Sequence, residues 1–409
     1  MQTTKVHLLF PKAIKRSDIA LHINDMFPKL MLVIFFSGTM RGFSAPYFNL
    51  FLDAQNFSGT LIGIVLSIAA LVELVAIPMI SNIADRTNRH RTMYRGIVLA
   101  YIAAIFLMLA FPITAVLFAG MIVAQVCFRS TFIFVMQLAF TKLEQVGKSH
   151  FGRVRSISAS GFVVGNLIAG LIFGVAQFIG LFLAAIASGL AVVGLSDALP
   201  VSTSDKPTDD IDDTQAVSRR QQLYPLFVAQ FFAMMGMRSG FAFWLLHFQD
   251  NLGISTEQVT LIVVVSSLME IPWYNILDGP LRNRSAVWFY VAGAMGFGVI
   301  WVLIGSVTSL LAVMGIMVIR GPMFAMINLS GLVHINRVSH PRNVSTNQAL
   351  SQITIPSLAA LLASAPLGYV YDNAEPIVFF GICAGLMILG GGILLVSQLM
   401  QSKQNVATS

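Results

Sequence analysis

Twelve apolar segments follow one another along the chain, and each is long enough to cross about 30 Å of hydrocarbon as an α-helix. Backbone polar groups inside a bilayer must be satisfied within their own segment, so runs of this length predict helices and exclude a barrel. With 56% hydrophobic and 11% charged residues, the chain also has too little polar surface for a soluble globule. The sequence therefore predicts an all-α membrane protein whose segments have the approximate limits 30–54, 60–84, 92–111, 114–141, 152–175, 177–199, 224–249, 257–280, 285–305, 309–335, 346–371 and 374–400.

The placement of the basic residues predicts the orientation in the membrane. Of the 25 Lys and Arg, we place four within helices and the others in the tails and the even-numbered loops. Under the positive-inside rule both termini and the even-numbered loops are cytoplasmic, in a plasma membrane or bacterial inner membrane. The first 29 residues lack the continuous apolar run of a signal peptide, so we expect a cytoplasmic N-terminal segment.

One arrangement of charges occurs twice, with a constant displacement of 197 residues. It relates Arg41 to Arg238, Asp53 to Asp250 and Glu73 to Glu270. A duplicated pair of charge-bearing helices is typical of transporters built from two homologous halves around a site at the bilayer midplane. We expect a cytoplasmic N-terminal segment (1–29), a first six-helix bundle (30–199), a linker (200–223), a second bundle (224–400) and a cytoplasmic tail (401–409).

The predicted linker is rich in Ser, Thr, Asp and Pro, which is typical of a solvated tether between two bundles. Its acidic run is open to a second interpretation, as a site for a divalent cation. The residues concerned are Asp209, Asp210, Asp212 and Asp213.

The loop SNIADRTNRHR, from Ser81 to Arg91, resembles the signature G-x-L-A-D-R-x-G-R-K of the major facilitator superfamily. The matching positions are Ala84, Asp85, Arg86, Arg89 and the cation Arg91. Ser81 and Asn88 stand where the family has glycines, and Asn tolerates a positive φ better than other non-glycine residues. The resemblance implies twelve helices in two pseudo-symmetric six-helix bundles that rock around a central cavity.

The same resemblance implies an inner gate at this loop and at its degenerate second copy, DGPLRNR. We expect Asp85, Arg86, Arg89 and Asp278 to pair across the two halves and hold the gate shut. The alternative is that these residues only set the topology.

Two further stretches carry the resemblance. GFVVGNLIAG, residues 161–170, is similar to the element G-x-x-x-G-P-x-x-G-G that is often met in antiporters, and its small residues four apart also predict close helix packing. FGRVRSISASGF, residues 151–162, resembles the sugar-permease and sugar-efflux branches, which implies a sugar-like solute or efflux.

Charges within the apolar segments are the most informative chemistry, because a charge in hydrocarbon is costly unless it has a partner or a function. We expect ion pairs between Arg41 and Glu73 and between Arg238 and Glu270, which leaves Arg129 and Arg320 as surplus cations for a solute with negative charge or strong acceptor groups. The family pattern R-x-x-Q-G is absent, so no proton-transfer role passes to Arg129.

The predicted site follows from these charges. Glu73 and Glu270 are the predicted proton-coupling residues. The predicted substrate-binding residues are Arg41, Arg129, Gln137, Arg238, Trp273, Arg320 and Asn328. The alternative is that all four arginines are structural, held in ion pairs and in bonds to backbone carbonyls.

The function predicted is secondary active transport of a small polar solute, sugar-like or anionic, by a proton-coupled symporter or antiporter that works as a monomer in the lipid bilayer. A multidrug or metabolite efflux antiporter is one alternative, and a non-transporting sensor on the same fold is another. No nucleophile–base pair or metal motif predicts an enzyme. We expect no cofactor, metal or nucleic-acid partner, and we interpret Cys127 and Cys383 as small buried hydrophobes.

Overall fold

The computed structural model describes residues 16–145, 151–200, 223–339 and 343–408, and regular structure in these ranges is helical. Residues 201–222 of the predicted linker and residues 1–15 lie outside the described residues. The first half of the chain contains α1 (Arg16–Ser44), α2 (Phe48–Ala54), α3 (Gly59–Thr87), α4 (His90–Ala110), α5 (Thr114–Gln145) and α6 (Phe151–Leu195). The second half contains α7 (Tyr224–Asp250), α8 (Thr256–Ile276), α9 (Asp278–Asn283), α10 (Ala286–Ser306), α11 (Leu310–Val338), α12 (Val344–Ala349), α13 (Ile355–Asn373) and α14 (Pro376–Thr408).

The predicted twelve-helix fold is confirmed. Ten helices in the described part of the chain are long and apolar enough to cross a membrane. One of these, α6, contains two spans, because its helical path breaks at Gln177, where φ is 48° and ψ is −146°. The twelfth span consists of α1 and α2, which a short 3₁₀ turn at Ala45–Tyr47 connects. The chain is thus a multi-pass membrane protein of two pseudo-symmetric six-helix bundles.

The 197-residue repeat extends to the backbone geometry of the turns. Asn56 before α3 has a φ of 63°, and Gly253 before α8 has a φ of 62°. The position two residues further on repeats as well, because Ser58 caps α3 and Ser255 caps α8, each accepting a hydrogen bond from the backbone N–H three residues on. The two halves therefore begin their second spans with the same turn and the same cap.

Small residues let α1 and α6 approach closely, as the spacing in residues 161–170 predicted. A Cβ added to Gly165 would lie 2.6 Å from Thr39 O, and one added to Gly42 would lie 2.5 Å from Phe162 O. An added Cβ at Gly161 would overlap the α1 backbone outright. Backbone atoms in contact cannot give way as a flexible side chain can, so this helix pair is a rigid support for side chains near it.

The two halves meet along two helix pairs, α3 with α13 and α6 with α8. Gly63 and Gly368 allow the backbones of α3 and α13 to touch, because a Cβ at either position would overlap a carbonyl oxygen of the other helix. In the second pair, an added Cβ at Gly170 would lie 3.1 Å from Thr260 Cγ2. We call the face of the protein where α1 begins the terminal face, and the face where α3 begins the opposite face. The contacts between the halves lie toward the opposite face.

Candidate functional site

Glu73 lies midway along α3 and is 1% exposed. Its Oε2 accepts a hydrogen bond of 2.8 Å from Ser357 Oγ on α13. The same oxygen lies 3.4 Å from Arg129 Nε on α5 and 3.6 Å from Arg238 Nη1 on α7. Because α5 belongs to the first half while α7 and α13 belong to the second, one buried carboxylate joins the two halves at the centre of the molecule.

Glu270 on α8 occupies the equivalent position in the second half but has a different set of partners. Its Oε1 lies 3.1 Å from Arg320 Nη1 on α11, and Arg320 also donates to Ser266 Oγ. Four aromatic rings surround the Arg320 guanidinium carbon, with centroids 4.7 Å away for Phe241, 5.3 Å for Trp244, 5.9 Å for Phe297 and 5.1 Å for Phe324. The rings stabilise the cation, so this pair is anchored within one half.

The predicted ion pairs of Arg41 with Glu73 and of Arg238 with Glu270 are wrong. Each glutamate instead pairs with the arginine two spans further on, Arg129 for Glu73 and Arg320 for Glu270. These two arginines, predicted to be surplus, therefore have carboxylate partners. The physical reason is that α3 packs against α5, and α8 against α11, which brings these side chains closer than their neighbours in sequence.

Arg41 faces an aromatic surface on α5. Its guanidinium carbon lies 5.1 Å from the centroid of Phe128 and 4.3 Å from that of Phe132. A further cation, Arg155 on α6, lies 4.7 Å from the Phe132 centroid and 5.6 Å from that of Tyr274 on α8. Sequence reasoning missed Arg155 by assigning it to a loop, although it falls inside the predicted segment 152–175.

The partners of the two carboxylates given above do not include the other predicted substrate residues, although Trp273 follows Glu270 by three residues on α8. Asn328 donates a 2.9 Å hydrogen bond to Phe324 O one turn earlier in its own helix. Gln137 on α5 is exposed, and Trp273 on α8 is half-buried in a small cluster with Tyr274 and Leu277. The structure therefore brings together the predicted arginines and glutamates, while Asn328 satisfies its amide donor within its own helix.

The predicted gating residues divide between described and undescribed side chains. Asp85 Oδ1 lies 2.8 Å from His90 Nε2, and Arg86 and Arg89 are exposed. Asn88 ends α3 with a φ of 55°, which confirms that asparagine supports the turn here. The backbone of Asp278 begins α9, but its side chain lies outside the described residues.

Two further arginines, Arg91 at the end of this loop and Arg95 in α4, contact the turn that follows α6. Arg91 and Arg95 lie 3.3 Å and 2.8 Å from Asp197 Oδ1. Together with the bond between Asp85 and His90, these contacts stay within the first half. In the conformation described, the loop thus braces its own bundle, and a pairing across the halves stays a prediction.

The central groups carry a net positive charge. Five guanidinium groups face two carboxylates, which leaves an excess of three positive charges when all seven groups are ionised. Mutual repulsion makes such a cluster favourable only where aromatic rings, dipoles or an anionic ligand compensate. The arrangement is therefore chemically suited to bind anionic groups or groups rich in hydrogen-bond acceptors.

Comparisons with known proteins agree with the fold. A family model described as the MFS_1 like family matches residues 28–382. The structure of the nucleoside transporter NupG is similar with a TM-score of 0.71 at 14% identity, covering 91% of this chain and 98% of that one. The human organic anion transporter MFSD10 (TETRAN) gives 0.63 at 12% identity, covering 91% and 99%.

A third similar structure is a POT family transporter in complex with a thioalcohol-conjugated peptide. Its TM-score is 0.71 at 15% identity, covering 93% of this chain and 96% of that one. No curated protein matches the chain. At these identities the similar structures show the fold alone, and the proteins they represent are transporters.

Proposed function

The chain belongs to the MFS_1 like family and is a membrane transporter of the major facilitator type, and we propose that it moves a small anionic or acceptor-rich solute by proton-coupled alternating access. The observation that carries the proposal is the position of Glu73. Its single carboxylate contacts side chains from both halves, so its charge state affects whether the halves stay together at this level.

Protonation of Glu73 supplies the coupling step in this proposal. A neutral carboxyl group loses most of its attraction for Arg129 and Arg238, and it leaves both guanidinium groups without a compensating charge in a poorly solvated centre. Each cation then loses the carboxylate that held it at the junction of the halves. Binding of the proton and separation of the halves become linked, because both act on the same oxygen.

Glu270 has a different role in this proposal. Its ion-pair partner Arg320 belongs to the same half, as does Ser266, which accepts a hydrogen bond from Arg320, and the aromatic cage holds the Arg320 cation regardless of how the halves move. A carboxylate whose contacts survive the conformational change is poorly placed to control it. Glu270 therefore offsets the positive charge of Arg320 within the second half. Glu73 is the principal coupling residue.

The test compares the same substitution at the two glutamates. A thermal-shift screen of the wild-type protein against organic anions, peptides, nucleosides and sugars identifies a solute, because a ligand of the folded state raises its apparent stability. The anions, peptides and nucleosides follow the similar structures, and the sugars follow the resemblance of residues 151–162. Proteoliposomes then measure uptake of the radiolabelled solute with and without a pH gradient.

Glu73→Gln is expected to abolish accumulation against a gradient while solute exchange survives, because glutamine keeps the shape but carries no exchangeable charge. Glu270→Gln is the matched control and is expected to retain accumulation. Normal accumulation by the Glu73 variant, or uptake that ignores the pH gradient in the wild type, would remove the coupling role from Glu73.

The proposed orientation places both termini and the linker in the cytoplasm, with bundles at 30–199 and 224–400 in the inner or plasma membrane. Support comes from the absence of Lys and Arg in the odd-numbered loops. Single cysteines at Asn56 and Asp210, in a background without Cys127 and Cys383, test it with a membrane-impermeant thiol reagent. Asn56→Cys should react from outside and Asp210→Cys only after permeabilisation; the reverse pattern contradicts the orientation.

A further inference from the structure

Two arginines of the first half share one aromatic ring. The guanidinium carbons of Arg41 and Arg155 lie 4.3 Å and 4.7 Å from the centroid of Phe132, so they are at most about 9 Å apart. An oxyanion bridging two guanidinium groups by ordinary charge-assisted bonds separates their carbons by about 8 Å or less. Where the two cations lie on the same side of the ring, their separation is well below this limit, and one carboxylate or phosphate group can reach both.

Neither arginine lies within ion-pair distance of a carboxylate among the residues that the structure describes, although Glu270 attracts Arg155 from further away. The described ion pairs of Glu73 and Glu270 go to Arg129, Arg238 and Arg320. Arg41 Nε is buried and has no hydrogen-bond partner in the described part of the chain.

Stacking on a ring does not satisfy the hydrogen-bonding capacity of arginine. The ring contacts the face of the guanidinium group, whereas its N–H donors point outward in the guanidinium plane. The pair around Phe132 therefore combines an excess of positive charge with donors that an external acceptor can use.

The supporting helices hold the two side chains in a defined relation. Arg41 belongs to α1 and Arg155 to α6, the two helices whose glycines bring their backbones into contact. Tyr274 of the second half lies over Arg155 at 5.6 Å, so the pair sits at the seam between the halves on the side of the terminal face. An anion bound here contacts the first half directly and lies next to a residue that moves with the second.

We infer that Arg41 and Arg155 bind the carboxylate or phosphate group of the transported solute, with Phe132 as the ring that positions both cations. The inference rests on the proposed function and specifies its solute as a small organic anion. Two guanidinium groups in a cluster with an excess of positive charge favour an anion, and a dianion most. Arg129 and Arg238 then serve the coupling carboxylate, and the solute's charge is recognised elsewhere.

Chemical modification of the wild-type protein tests the site without any substitution. The full chain in a neutral detergent is treated with phenylglyoxal, which modifies arginines, and peptide mass spectrometry follows Arg155 and Arg95 in the same sample. Arg95 is the internal control, since it binds Asp197 at the terminal face. Succinate and inorganic phosphate are the probes, and sodium chloride at equal ionic strength and glucose are the comparison conditions.

We expect succinate or phosphate to slow modification of Arg155 at least three-fold and to leave that of Arg95 unchanged. Equal modification rates at Arg155 under all conditions overturn the inference, as does protection by glucose alone. A separate sample with added phosphatidylglycerol distinguishes a lipid headgroup, and protection by the lipid without protection by either soluble anion also overturns it.

Variants give an independent measurement. Arg41→Gln and Arg155→Gln should each lose the rise in Tm that the protecting anion produces in the wild type, whereas Arg95→Gln should keep it. Arg41→Lys and Arg155→Lys retain the charge and should keep part of the shift, which separates lost binding from misfolding. An unchanged shift in both glutamine variants contradicts the assignment.

The outcome is separable from that of the proposed function. Protection of Arg155 in a protein that carries out no flux keeps the anion site and removes transport coupling. Gradient-driven uptake of an uncharged solute, with no anion protection, keeps the transporter and removes the anion site.

Discussion

Asp372 connects the two halves at the opposite face. Its Oδ1 accepts a 2.8 Å hydrogen bond from Gly59 N, and its Oδ2 accepts bonds of 2.7 Å and 2.5 Å from Thr60 N and Thr60 Oγ1. The acceptor lies at the end of α13, and the donors lie in the first turn of α3. Since the proposed alternating access requires this face to open, replacing Asp372 with alanine should shift the equilibrium toward the state open at this face.

The magnitude follows from the three bonds and the helix terminus. Asp372 is exposed to solvent, so each bond is taken at about 0.5 kcal/mol, the low end for protein hydrogen bonds. Two of the donors are the N-terminal N–H groups of α3, so these bonds already include the favourable interaction of a carboxylate with a helix N-terminus. The total of about 1.5 kcal/mol corresponds to a shift of roughly 13-fold, which would raise an open population of about 1% to about 11%.

Spin labels at Ala54→Cys and Asn251→Cys report the separation of the halves at this face, in a background without Cys127 and Cys383. Double electron–electron resonance should show a population of longer label–label distances, and this population should be clearly larger in Asp372→Ala than in the protein with Asp372 intact. Thr60→Val removes only the hydroxyl donor and should produce a smaller increase.

Glu375→Ala is the matched control, because this exposed carboxylate lies three residues further on and outside these bonds. An unchanged distance distribution in a folded Asp372→Ala protein would show that these bonds do not hold the face closed. An equal change in Glu375→Ala would attribute the effect to net charge instead.

Three further predictions concern packing, the turn and the gate. Gly161→Ala should lower the thermal unfolding temperature by several degrees, because its Cβ would overlap the backbone of α1, whereas Gly174→Ala, with open space around it, should be neutral or stabilising. Asn88→Val should destabilise by about 1–2 kcal/mol because a β-branched residue is strained at φ 55°, while Asn88→Gly should be tolerated; thermal unfolding of both variants decides. Asp85→Asn, which weakens the bond to His90, should slow turnover in proteoliposomes while solute binding persists, and unchanged turnover would assign this loop to topology alone.

The sequence by itself determined the number and type of the helices. Long apolar segments have no alternative to helix in a bilayer, so composition and length suffice. The 197-residue repeat also predicted equivalent positions in the two halves, and the matching turns at Asn56 and Gly253 are its backbone counterpart. The small residues around Gly161 predicted close packing, because their spacing in the sequence alone decides which face of the helix carries no large side chains.

Which charges pair was decided only by the tertiary structure. Glu73 and Glu270 occupy equivalent positions in the repeat, yet Glu73 also contacts Arg238 and Ser357 across the halves, while Glu270 stays with Arg320 in its own half. An ion pair depends on a separation of a few ångströms, and packing between helices distant in sequence sets that separation. Local sequence specifies each helix and the residues on its faces, but the identity of the neighbour that each face meets arises only when the twelve helices assemble.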